Sequence, residues 1–167
     1  LRTLDFVFSF LGLVVLFPVF ILIAILIKID SNGPVFYCQS RVGFKGKVFR
    51  VFKFRSMRLD SDKMGLLTVG GEDPRITRSG FFIRKYKIDE LPQLLNVLLG
   101  EMSMVGPRPE VKKYVDLYDE SQKRVLLVRP GITDLASITF KNENDILSKS
   151  NNPELTYIKE IMPLKIE

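Results

Sequence analysis

Between Phe6 and Ile27 the chain carries no charged residue: FVFSFLGLVVLFPVFILIAILI is 22 residues of apolar or small side chains. A helix needs about 20 such residues to cross a bilayer core, so this stretch limits the possible folds more than any other. It is too long for the apolar centre of a cleaved signal peptide, and AILIKIDSN offers no small-x-small cleavage site. Pro18 sits near its middle. Proline lacks a backbone N–H and crowds the preceding turn, at about 3 kcal/mol in a soluble helix. In lipid the freed carbonyl must find another donor. Arg2 lies before the segment and Lys28, Arg41, Lys45 and Lys47 after it, so flanking charge gives no orientation. Two readings stay open on these features: a span with a tolerated proline, and a kinked helix that enters and leaves one leaflet.

The whole chain of 167 residues suffices for one globular domain with a real core. It begins at Leu1, from which N-terminal trimming is expected. A net charge of +6 together with 46% hydrophobic residues points to an anionic partner: nucleic acid, a membrane surface or a phosphorylated small molecule. With no histidine and one cysteine, Cys38, the chain cannot build a Ser-His-Asp triad, a Cys-His zinc site or an intramolecular disulfide. Cys38 reads as packing. Any metal must rest on oxygen ligands, which favours Mg²⁺ or a relative.

KIDSNGP (28–34) stops the apolar helix with turn-forming residues. VFYCQSRVG and KVFRVFKFRSM predict two strands around FKGK, being rich in β-branched and aromatic residues. Seven Lys and Arg and no acid fall between Arg41 and Arg58. Each cation near an anionic leaflet contributes about 1 kcal/mol, so the run points to docking at the membrane surface; a solvated basic face is the plain alternative. Residues 60–80 read as a loop, VKKYVDLYDESQKRVLLV (111–128) as a helix, and the tail from Lys141 as turns with the helix-like pieces NDILSKS and PELTYIKEIM. Pro107 and Pro109 fix φ on either side of Arg108. RPGIT (129–133) is a turn that carries Arg129. There is no internal repeat and no boundary for a second soluble domain.

KIDELPQLLNVLLG (87–100) holds adjacent acids, Asp89 and Glu90. Leu91, Leu94, Leu95, Leu98 and Leu99 follow the spacing of an amphipathic helix that Gly100 ends. Pro92 is tolerated only in a first turn, which puts Asp89 at or beside the N-cap. A cap worth about 1 kcal/mol accounts for such an acid without chemistry. The neighbourhood offers another account. Five cations lie between Arg75 and Lys87, enough to neutralise a pyrophosphate. A carboxylate among them stays ionised and can attack phosphorus, while its neighbour holds Mg²⁺. The adjacent membrane segment suggests a lipid substrate.

GPVFYCQSRVGFKGKVFRVFKFRSM, DPRITRSGFFIRKYKIDELPQLLNVLLGEMSMVGPRP and RPGIT resemble the bacterial sugar transferase family, the small monotopic phosphoglycosyl transferases acting on polyprenyl phosphate. The likeness runs from about Arg2 to Thr133. It implies transfer of a hexose-1-phosphate from a nucleotide diphosphosugar, usually a UDP-sugar, to undecaprenyl phosphate, with release of UMP. Such a step begins O-antigen, capsule, exopolysaccharide or glycoprotein glycan assembly at the cytoplasmic face of the bacterial inner membrane. It further implies that Asp89 is a nucleophile forming a covalent phosphosugar intermediate and that Glu90 binds the required Mg²⁺. Arg84 and Arg108 match basic positions near the phosphates; beyond that match, Arg129 is expected to join them in stabilising phosphate charge, and Lys53 and Arg55 to do the same or to bind lipid headgroups. The apolar segment matches a re-entrant helix whose break lies at Pro18.

The expected fold is therefore a mixed, helix-rich α/β, membrane-associated protein. Residues 1–29 would form a re-entrant membrane helix broken at Pro18, and residues 30–167 a small cytosolic catalytic domain, with a homodimer one option for assembly. Three features depart from many family members: Phe17 replaces a serine before the proline, DLASITFKNEN replaces a Gly-Leu-Ala-Gln stretch with an Arg-Asn pair, and members usually extend past the point matching Glu167, so C-terminal truncation is expected. Two other classes are set against this one. A non-catalytic module binding anionic lipids would keep its binding after Asp89→Asn. A nucleic-acid binder has no place for the apolar segment.

Overall fold

A computed structural model describes residues 2–61, 65, 73–140 and 143–166. The expected loop 60–80 and the tail from Lys141 lie partly outside these residues. The apolar segment forms one helix, α1 (Arg2–Asp30), with Pro18 inside it. At 1.5 Å per residue such a helix is about 43 Å long. By length and composition it can cross a membrane, and only 11% of its most apolar stretch is buried. The helix does not end at Pro18. Proline removes the donor that would have met the Val14 carbonyl, but its fixed φ is helical, so the element continues through it.

The helix is packed along its length on one face and bare on the other. Ser9, Ile23 and Ile27 are buried, and Gly12 lies against Leu94. Phe6, Phe8, Phe10, Val15, Phe17 and Leu22 are exposed. Its charged residues all sit at its ends, and Arg2, Asp5 and Asp30 each grip another element. Arg2 donates to the carbonyls of Val97 and Leu98. Asp5 accepts from the Ser103 hydroxyl and the Met104 amide, each at 3.0 Å. At the other end Asp30 accepts from the amide and hydroxyl of Ser79, both at 2.8 Å.

The predicted strands form the antiparallel hairpin β1 (Phe36–Val42) and β2 (Val48–Phe54), paired from Phe36↔Phe54 to Val42↔Val48. Phe54 packs with Ile23 and Ile27 of α1 and with Ile83 of α2 (Arg78–Lys85). Gly80 lets α2 approach the chain after β2: a Cβ there would lie 1.9 Å from the Ser56 carbonyl oxygen. A 3₁₀ turn, Ile88–Glu90, leads to α3 (Gln93–Leu99), which Gly100 ends at φ 87°. The leucine stripe is only partly the inward face. Gln93, Leu94, Asn96 and Val97 are buried while Leu99 is 66% exposed. Asn96 sets this rotation: its side chain accepts from Phe52 N and donates to the Arg50 carbonyl, drawing that face onto β2.

Beyond α3, the short strands β3 (Ser103–Val105) and β4 (Gly131–Thr133) pair in parallel. The helix expected over 111–128 is divided into α4 (Lys112–Val115) and a 3₁₀ segment, Gln122–Leu127. Asp119 divides it by accepting from Ser121 and Gln122 amides at 2.8 Å, a local turn that competes with helix. Short helices α5 (Leu135–Thr139) and α6 (Glu143–Ser148) follow, and then a helical run made of α7 (Pro153–Thr156), a π turn Tyr157–Ile161 and α8 (Met162–Ile166). A buried cluster of Val42, Val111, Tyr114, Val115, Tyr118, Leu147, Tyr157, Ile161 and Met162 joins this tail to α4 and β1.

Candidate active site

Asp89 and Glu90 lie in the turn between α2 and α3, and they do not cap α3. The capping position of that helix is Pro92, with no side-chain cap hydrogen bond. The turn itself opens at Lys87, a left-handed residue with φ 58° and ψ 19°. A non-glycine residue there is strained by roughly 1–2 kcal/mol, a distortion that clusters at functional sites. Asp89 is 5% exposed, and its Oδ1 is buried without a hydrogen-bond partner. A carboxylate oxygen left in that state is costly, so packing alone does not account for it.

The two acids differ sharply in environment. Glu90 Oε1 meets Lys53 Nζ of β2 at 3.0 Å and Arg108 Nη2 at 2.5 Å, and its Oε2 meets Arg108 Nη1 at 3.2 Å. Although burial alone would raise it, Lys53 and Arg108 together hold the Glu90 carboxyl well below the usual range. Burial pushes Lys53 down, and Glu90 opposes that. Burial pushes Asp89 up, with the repulsion of Glu90 added and the charges of Lys53, Arg84 and Lys87 pulling the other way. The cations thus keep Glu90 ionised, while Asp89 is left as the more basic oxygen of the pair.

Arg108 is held by its backbone. Its amide donates to Asp134 Oδ2 at 2.9 Å, and the Pro107 carbonyl accepts from Gly131 N at 3.0 Å. The two loops touch main chain to main chain: a Cβ on Gly131 would lie 2.1 Å from Gly106 N. Asp134, the first residue of the stretch that departs from many relatives, went unnoticed in the sequence, where nothing marks it as a partner of Arg108.

The candidate cations part into two groups. Lys53, Arg84 and Arg108 act on the acid pair. Arg55 is used elsewhere: its Nη1 and Nη2 donate to the Asn32 and Ser31 carbonyls at 2.7 Å, closing the end of α1. Arg129 is exposed, donates to the Gly100 carbonyl at 3.1 Å and stacks over Phe44, at the far end of α3 from the pair. The basic run 41–58 is not one free face either, since Arg41 pairs with Glu110 and Lys53 with Glu90.

A family model described as "Bacterial sugar transferase" matches residues 1–165. The chain belongs to the bacterial sugar transferase family. It is 50% identical over 109 residues to a Bacillus subtilis protein named as a candidate undecaprenyl-phosphate N-acetylgalactosaminyl 1-phosphate transferase, a match covering 65% of this chain and 61% of the relative. It is 47% identical to the undecaprenyl-phosphate glucose phosphotransferase of Komagataeibacter xylinus, over 82% of this chain and 27% of that one. It is 39% identical to the UDP-glucose:undecaprenyl-phosphate glucose-1-phosphate transferase of Escherichia coli, over 95% of this chain and 36% of that one. The chain thus spans less than two thirds of the length of each of these relatives.

Proposed function

We propose that the chain transfers a sugar-1-phosphate from a nucleotide diphosphosugar, with UDP-sugars first in line, to undecaprenyl phosphate, in the opening membrane step of surface polysaccharide or glycoconjugate synthesis. The observation that carries this reading is the contrast within the acid pair: a buried Asp89 oxygen without a partner beside a Glu90 fixed by Lys53 and Arg108. In the first half-reaction an Asp89 oxygen forms a bond to the sugar-linked phosphorus. The bond from that phosphorus to the bridging oxygen breaks, and the nucleotide monophosphate leaves with the electron pair. In the second, an oxygen of polyprenyl phosphate attacks the same phosphorus and the Asp89 carboxylate departs. Dividing the transfer lets a soluble donor and a lipid acceptor use one small site in turn. Arg84, Lys53 and Arg108 supply fixed positive charge where phosphate oxygens gain it.

Magnesium fits this donor set. Among the described residues no group of three or more His, Cys, Asp or Glu forms a cage. Mg²⁺ is commonly held by one or two carboxylates together with substrate phosphates, and Glu90 with the unpaired oxygen of Asp89 suits that mode. When bound, it would neutralise charge on the diphosphate. Within the protein, Lys53 and Arg108 keep Glu90 ionised for that task.

In this reading the chain sits in the cytoplasmic leaflet of the inner membrane with both helix ends on the cytoplasmic side, and the bare apolar face of α1 supports its contact with lipid. Arg2 and Asp5 at one end and Asp30 at the other bind the same body, an arrangement at odds with a helix that leaves its ends on opposite sides. Re-entry through a bend near Pro18 is the form that satisfies both. Single cysteines from Thr3→Cys and Ile29→Cys, in a Cys38→Ser background, are expected to react with an impermeant maleimide only in inside-out vesicles. Labelling of one site from each side would sink this topology.

The test of the chemistry is intact-protein mass after incubation with Mg²⁺ and a panel of UDP-sugars without lipid acceptor. A sugar-phosphate adduct on the wild type and none on Asp89→Asn is the expected result. UMP release that requires lipid phosphate, with no adduct from any donor, would replace the covalent scheme by direct transfer.

A further inference from the structure

Glu110 follows Pro109 and lies two residues from Arg108, and it is bonded on every side. Its carbonyl accepts from Val42 N at 2.8 Å, joining the loop to the end of β1. Its Oε1 accepts from Arg41 Nη1 and from Val111 N, both at 2.7 Å. Its Oε2 accepts from the hydroxyl of Tyr157. Arg41 also donates to the Pro109 carbonyl at 3.3 Å and is itself held by Gln39 Oε1 at 2.7 Å. Tyr157 is 4% exposed, belongs to the C-terminal helical run, and packs its ring 4.9 Å from that of Tyr114.

This chain of bonds matters because of what proline removes. Pro107 and Pro109 have no N–H, so the stretch that carries Arg108 cannot anchor itself through those amides. Its anchors are the Arg108 amide on Asp134, the two proline carbonyls, and Glu110. Of these, Glu110 alone reaches the C-terminal run, across 47 positions of sequence. Burial and the charge of Glu110 keep the Tyr157 phenol protonated far into the alkaline range, so it remains a donor.

We propose that Glu110 and Tyr157 are positioning residues for Arg108: the hydroxyl of the C-terminal run, acting through the Glu110 carboxylate, fixes the Pro107–Pro109 stretch so that the guanidinium meets Glu90 and the donor phosphates. The proposal rests on the transferase reading above. It makes the C-terminal run part of the catalytic apparatus, acting through Glu110.

The experiment uses the full chain in lipid nanodiscs, with Tyr157→Phe, Glu110→Gln, their combination, and Leu147→Ala. Leu147 belongs to the same buried cluster. Amide exchange over 106–111, kcat and KM for UMP release, and the thermal midpoint are measured for each. Tyr157→Phe is expected to speed exchange over 106–111 and to lower kcat about tenfold, the scale of one hydrogen bond to a charged group, with KM changed less than about twofold. The double variant is expected to be no worse than Glu110→Gln alone, because the two groups act as one unit. Leu147→Ala is expected to lower the midpoint while keeping wild-type kcat below it. Wild-type exchange and kcat in Tyr157→Phe overturn the proposal, as does an equal loss of kcat in Leu147→Ala. If the wild type releases no UMP from any donor, the transferase reading fails, while exchange over 106–111 still decides whether Tyr157 holds the loop.

Discussion

The acid pair and the arginine that meets it hang from different parts of the molecule. Asp89 and Glu90 sit between α2 and α3, and α1 grips both helices, α2 through Asp30 and α3 through Arg2. Arg108 sits on a proline-stiffened loop whose side-chain anchors are Asp134, Arg41 and Glu110. One half is mounted on the apolar helix α1 by charges at helix ends and by the apolar seam of Ile23, Ile27, Phe54 and Ile83. The other is mounted on the C-terminal cluster by the side-chain bond of Tyr157 to Glu110 and the main-chain bond of Val42 to Glu110. They meet at Glu90–Arg108. The site is thus assembled from two halves with different main mountings, and damage to either should leave a different signature.

The largest effect is expected on the α1-side half. Asp89→Asn should abolish the adduct and cut transfer by about 10³-fold or more, since the proposed covalent step needs a carboxylate at that position. The same change should raise the thermal midpoint by about 2–4 °C, because it relieves a buried carboxylate oxygen that lacks a partner. Activity assays and calorimetry on one preparation decide this; a lowered midpoint would mean that Asp89 is a structural acid. Next comes the loop half. Arg108→Ala should reduce kcat about 10²-fold, the scale of removing one fixed charge from a phosphoryl-transfer site. Arg108→Lys should restore little of it, because Glu90 is gripped by both arms of the guanidinium.

The mounting on α1 should cost less. Asp30→Ala removes the acceptor for the Ser79 amide and hydroxyl, and a loss of about 1–2 kcal/mol of stability is expected from thermal unfolding. If the two halves are independent, exchange over 106–111 stays at wild-type rates in that variant. The smallest effect is on pH dependence. Asp89 must be ionised to attack, and its carboxyl is raised by burial, so kcat/KM should fall as pH drops through a value above the ordinary range for aspartate. Lys53→Met removes a charge that pulls Asp89 down and leaves Glu90 more able to repel it. The acidic limb should therefore move to higher pH, and a limb that stays put would exclude Asp89 as its origin.

Much of the α1-side half was legible in the sequence because its signals are local. A run of 22 uncharged residues, a hairpin with β-branched strands, and acids followed by Pro92 each speak within a short window. What those acids do was not settled by spacing, since a cap and a nucleophile share the same position. The capless Pro92 removes the cap, and the unpaired Oδ1 leaves an oxygen for the chemistry proposed above. The cations were harder. Sequence shows that Arg55 and Arg129 are basic, but not that the Ser31, Asn32 and Gly100 carbonyls occupy them. The helix expected over 111–128 failed because Asp119 satisfies two amides in a turn, and the leucine stripe because one polar residue, Asn96, rotates α3. The Tyr157–Glu110 contact had no local signal at all.

Gripping α1 at both ends fixes its phase as well as its place. One inserted residue advances a helix by about 1.5 Å and turns it by about 100°. Asp5 and Asp30 could then no longer both face their partners, and Gly12 would leave Leu94. The segment is therefore not an interchangeable tether. A membrane helix of equal hydrophobicity but different length would still find the lipid, and would hold α2 and α3 out of register with each other. For this chain, the apolar helix is also the ruler against which the acid pair is set.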